Sequence, residues 1–70
     1  MRQLICDCKD AEQMEAFVAK FPDAIAFPDG VMPRPGPCVA FVFDHKKMSD
    51  NEAHAVCAKF GIDGKEYRDA

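Results

Sequence analysis

The sequence predicts a small α+β domain, and three observations carry that prediction. Two segments, Asp10 to Phe21 and Ser49 to Phe60, repeat apolar side chains at the spacing of one helical face. Other segments alternate, or run apolar for a few residues, in the manner of strands. The two helical segments also match each other position by position, and each follows an apolar strand and precedes a weaker one.

Gln3 to Cys8 sets Leu4, Cys6 and Cys8 against Gln3, Ile5 and Asp7, which predicts a first strand with one strongly buried face. Asp10 caps the helix that follows, and Gln13 is placed to reach back and complete a capping box. Met14, Phe17, Val18 and Phe21 form the apolar stripe, and Pro22 ends the helix because the residue before proline avoids helical geometry. Ala24 to Phe27 reads as a short second strand, closed by the turn Pro28-Asp29-Gly30. Val31 to Pro37 carries a proline at every second position from Pro33, which removes backbone donors and favours an extended loop. Cys38 to Phe43 is apolar on both faces, the pattern of a central third strand. Ser49 with Glu52 makes a second capping box, Met48 staples onto Ala53, and Ala53, Val56, Cys57 and Phe60 repeat the apolar stripe before Gly61 stops the helix. Lys65 to Arg68 is the candidate for a fourth strand at an exposed edge, the least determined of the elements.

The chain of 70 residues falls below the roughly 100–200 residues typical of a domain, so residues 1–70 are read as one domain. Apolar residues make up 49% and charged residues 30%, a balance that supports an ordered core. A net charge of -3 disfavours nucleic-acid and anionic-membrane partners and leaves proteins as the expected partner class. No apolar stretch near Met1 is long enough for a signal peptide or a membrane span, so a cytoplasmic location is expected. The four cysteines are unevenly spaced within apolar runs, which predicts free buried thiols rather than a disulfide framework.

The matched halves share an ending, Ala19-Lys20-Phe21 and Ala58-Lys59-Phe60. A duplicated β-α-β pattern of this kind resembles the ferredoxin-like split β-α-β fold. The resemblance implies a βαββα(β) sandwich, with both helices on one face of an antiparallel sheet. Strands 1 and 3 are expected at its centre, parallel to each other. Leu4, Cys6, Cys8, Val39, Phe41 and Phe43 would then face the helices, leaving Ile5, Asp7, Cys38, Ala40 and Val42 on an open face. Ile5, Ala40 and Val42 on that face suggest a partner or homodimer surface; the competing expectation is that the loop after strand 2 folds over them.

Candidate chemistry is sparse. Cys6 and Cys8 form a Cys-x-Cys pair, with Cys57 available from the second helix, a set able in principle to bind a soft metal or form a disulfide. Residues two apart on a strand lie about 6.5–7 Å apart, too far for both sulfurs to reach one tetrahedral ion, so no metal or cofactor is expected. His54 and Cys57 share a helix flank without an orienting group, and His45-Lys46-Lys47 reads as a solvated turn. Ala40-Phe41-Val42-Phe43 is similar to the aromatic strand of RNA-recognition domains, but the basic residue and glycine that open that motif are missing. The most unusual segment is Pro28 to Pro37, a stiff loop presenting Val31, Met32 and Arg34.

The expectation is therefore a non-enzymatic binding or inhibitory protein. Its partner-binding residues are Val31, Met32 and Arg34 with Ile5, Ala40 and Val42, and a thiol-based metal or redox domain is the alternative. In size and acidity, with Asp10, Glu12, Glu15, Asp50 and Glu52 toward the helix starts, the chain resembles the short phage-encoded inhibitors of bacterial defence systems, anti-CRISPR proteins among them. That resemblance implies inhibition of a nucleic-acid-binding machine by an acidic surface.

Overall fold

The computed structural model describes residues 1–69. Along the chain run β1 (Arg2–Asp7), α1 (Ala11–Lys20), β2 (Ile25–Phe27), β3 (Cys38–Phe43), α2 (Asp50–Lys59) and β4 (Asp63–Asp69). The strands form one four-stranded sheet in the order β2-β3-β1-β4, and every neighbouring pair is antiparallel. This corrects the expectation that strands 1 and 3 are parallel. Within each half the two strands do share a direction, but a strand of the other half lies between them, and the reversal from β2 to β3 turns the second half round.

Local sequence sets the helix limits. Asp10 accepts a hydrogen bond from the Gln13 amide at 2.8 Å, as the cap predicts. The Gln13 side chain reaches back one residue further than a capping box requires, accepting from the Lys9 amide rather than from Asp10. Its own NH2 group donates to the Gly61 carbonyl and so ties the start of α1 to the end of α2. The Ser49–Glu52 box is complete in both directions. Gly61 ends α2 at a φ of 86°, where a side chain would be strained, while the Ile62 amide returns to the Cys57 carbonyl.

Both helices pack on the same side of the sheet. Met14 and Phe17 of α1 and Ala53 and Cys57 of α2 share one buried cluster with Leu4, Cys6, Cys8, Val39, Phe41 and Phe43. Phe17 is at its centre, with ring centroids 4.8 Å from Phe21, 5.3 Å from Phe60 and 5.9 Å from Phe41. The two Ala-Lys-Phe endings thus converge on one aromatic knot. Aromatic pairs of this kind add about 0.5–1.5 kcal/mol each to what burial alone contributes. Phe41 and Phe43 point into this cluster, so their role is packing.

The fourth strand is longer than the sequence suggested. Asp63–Asp69 pairs with β1 along its whole length, with an irregularity between Ile5 and Cys6: Glu66 faces Ile5, Gly64 faces Cys6, and Lys65 is the extra residue of a bulge. Gly64 fits closely there: a Cβ would lie 2.9 Å from a Leu4 methyl and 3.0 Å from the His54 ring, so a larger residue would have to displace one of them. Arg2 crosses to the helix side, binding Asp50 through two nitrogens and Asp69 through a third, while its guanidinium lies over the Tyr67 ring.

Candidate functional site

The sheet face away from the helices is where the sequence left two outcomes open, and the loop between β2 and β3 occupies it. Ile5, Cys38 and Ala40 are 1%, 0% and 0% exposed although they point away from the helical core. Three ties hold the loop in place. The Asp29 carboxylate accepts from the Gly36 amide at 3.2 Å and closes the loop on itself. The Cys8 amide donates to the Pro37 carbonyl at 2.9 Å, pinning the far end to β1. Between them Arg34 reaches across the sheet, its Nε 3.0 Å from Asp7 of β1 and its Nη1 3.4 Å from Glu66 of β4. The Asp7 contact is an ion pair without hydrogen-bond alignment. Glu66 also accepts from Arg68 at 3.1 Å, and that hydrogen bond is the main reason its carboxyl is held below the usual glutamate value.

The six residues read as partner-binding therefore divide. Ile5 and Ala40 lie beneath the loop and present no surface, so of the two outcomes expected for this face the covering loop is the one observed, and the open face is not. Arg34 is engaged with Asp7 and Glu66 rather than held out for a partner. Val42 and Met32 are half-buried, and Val31 stands out at 62% exposure. The structure adds Ile25, which faces Ala40 across the β2–β3 ladder and is 43% exposed. Three large apolar side chains are exposed among the described residues, and two of them, Ile25 and Val31, belong to β2 and the loop that follows it. Beside Val42, where β3 outruns β2, a surface depression of about 150 Å³ is lined by Phe21, Pro22, Ala24 and Phe41.

Sequence reasoning passed over Ile25, Asp7 and Glu66. Asp7 carried a usable signal: an acid in an otherwise apolar strand, on the face without helices, calls for a cation above it. Ile25 carried a weaker one, because a three-residue strand at a sheet edge leaves its side chains poorly covered.

All four cysteines are free and buried. The Cys6 thiol donates to the Leu4 carbonyl at 3.5 Å; the neighbouring Cys57 thiol of α2, together with burial, pushes Cys6 well above its ordinary value, and the same neighbour pulls Cys57 down against burial. Burial pushes the Cys8 thiol up to about 11. Cys38 lies under the loop and donates to Asp7 at 3.5 Å; burial first, and then that carboxylate, raises its pKa. His54 is exposed and lies against Gly64. Among the described residues no three His, Cys, Asp or Glu side chains are grouped to hold a metal ion. Also among them, no helix is long and apolar enough to cross a membrane.

The chain was compared with protein families, with curated proteins and with solved structures, and none of them matches it.

Proposed function

We propose that the protein is a non-enzymatic, cytoplasmic protein-binding module in which a strapped loop on a ferredoxin-like sandwich presents Val31, with Ile25 of the preceding strand, to another protein. The strand order and the two same-side helices are compatible with that sandwich. One observation carries the reading: the exposed apolar side chains Ile25 and Val31 sit on a segment that is otherwise tied down, by Asp29, Arg34 and Pro37. A loop held in one shape loses little conformational entropy when a partner covers it.

Inhibition through an acidic surface is less well supported. Asp10 caps α1, Asp50 binds Arg2 and Glu52 completes the second capping box, so three of the five helix-start acids already have structural work. A thiol-based role for Cys6, Cys8 and Cys57 is also less supported, since all three are buried.

The test places a photo-crosslinking amino acid at position 31 and, as control, at the exposed Ala16 of α1, in the native host. Position 31 is expected to give one discrete protein adduct that position 16 does not. Ile25→Asp with Val31→Asp should then abolish capture of that protein while leaving the melting temperature nearly unchanged. Equal adducts from both positions, or capture indifferent to the two aspartates, would overturn the proposal.

A further inference from the structure

Among the described residues, the outer edge of β4 has no partner strand. An edge of this kind invites pairing with another copy, and proteins commonly block it with like charges or bulges. Here both charge and bulge are present, in an order that produces the opposite effect.

Gly64 and Tyr67 face the helices: a Cβ on Gly64 would strike Leu4, and the Tyr67 hydroxyl donates to the Asp50 carbonyl at 3.0 Å. Asp63, Lys65, Glu66 and Arg68 all belong to the strapped face. Asp63 is opposite Asp7 and holds Lys65 at 2.7 Å, while Glu66 is opposite Ile5 and holds both Arg34 and Arg68. The bulge is what brings the adjacent residues Lys65 and Glu66 to one side. Along that side the charges read minus, plus, minus, plus.

In an unbulged strand, a two-fold axis normal to the sheet must set one residue against its own copy, because side chains change face at every step. Lys65 would then meet Lys65, or Glu66 meet Glu66. With Lys65 and Glu66 on the same face, the axis can pass between them instead. Lys65 then opposes the second copy's Glu66, Asp63 opposes its Arg68, and Gly64 on the other face is covered by its Tyr67. Every charged pair is attractive, and the glycine receives an aromatic neighbour.

We propose that β4 is a homodimerisation edge, pairing antiparallel with the β4 of a second copy about an axis between Lys65 and Glu66. The product is one continuous sheet of twice four strands, with all helices on one side and both straps on the other.

The decisive experiment is a charge exchange read by light scattering and native mass spectrometry. The wild-type chain should double its mass as concentration rises, with amide exchange along Asp63–Asp69 slowing in step. Asp63→Arg and Arg68→Asp each set like charges at both outer pairs and should weaken dimerisation about tenfold or more. An equimolar mixture of the two variants should recover dimers containing one of each. Circular dichroism melts confirm that both variants fold. A wild-type chain monomeric into the millimolar range, single variants that dimerise like wild type, or a mixture that stays monomeric would each overturn the proposal.

Discussion

Replacing Arg34 by Gln tests whether the strap is a unit that opens separately from the rest of the fold. The substitution keeps most of the side-chain stem and removes the charge that joins the loop to β1 and β4. Arg34 and Asp7 are 24% and 33% exposed, so their pair is neither dry nor fully screened and falls in the range of about 0.5–1 kcal/mol. The Glu66 contact is longer and shared with Arg68, and nothing is added for it. The population of the opened strap should therefore rise about two- to fivefold. Cys38 reports it directly, because it is fully covered by the closed loop, whereas Cys6 and Cys57 are sealed in the helix-side core. Alkylation by iodoacetamide, followed residue by residue in mass spectra of the digested protein, should quicken about two- to fivefold at Cys38 and stay unchanged at Cys6 and Cys57. If all these cysteines accelerate together, the strap has no independent opening. If Cys38 does not accelerate, Arg34 is not what holds it.

Gly64→Ala should destabilise the fold by about 1–3 kcal/mol in urea denaturation, because the new methyl meets the fully buried Leu4 as well as His54; an unchanged midpoint would show that β4 is free to shift away. Thiol ionisation predicts loss of stability in alkali. Cys8 has an ordinary pKa of 9.0 and a folded value of about 11, and Cys38 is raised as well; the raised Cys6 is offset in part by its lowered neighbour Cys57. Raised values mean the stability is fully present below pH 9 and is lost as pH rises from 9 toward 11, with a slope of up to about 1.4 kcal/mol per pH unit for each thiol. Melting temperatures across that range, with Cys8→Ala giving a shallower decline, are the check.

How much of this could be read from the residues depends on what held each element. β3 was found with its observed limits because both of its faces are apolar, and the helices because their caps and stripes agree. The assignment of Leu4, Cys6, Val39 and Phe41 to the helix side follows from alternation together with side-chain bulk and agrees with the structure. β4 was underestimated because it is held by ladder hydrogen bonds to β1 rather than by buried side chains, and only Gly64 and Tyr67 of its seven residues are partly covered. The relative direction of β1 and β3 depends on how the halves interleave, which no local pattern encodes. The candidate site was legible as a segment, Pro28 to Pro37, but not as a contact map. Whether Arg34 points to solvent or to Asp7 is decided by a fold-back between residues far apart in sequence.

The strap also sets a lower limit on the length of this connection. Strands lie about 4.8 Å apart, so a loop that leaves β2, reaches a position over β1 and returns to β3 must cover on the order of 15 Å sideways, and each extended residue advances at most about 3.3 Å. Five residues or so go to travel and the rest to the two corners, which leaves little slack in the segment from Pro28 to Pro37. Natural variants that trim loops elsewhere without harm should find this one resistant to deletion, since a shorter crossing would leave Ile5 and Ala40 wet and give the sheet a greasy underside.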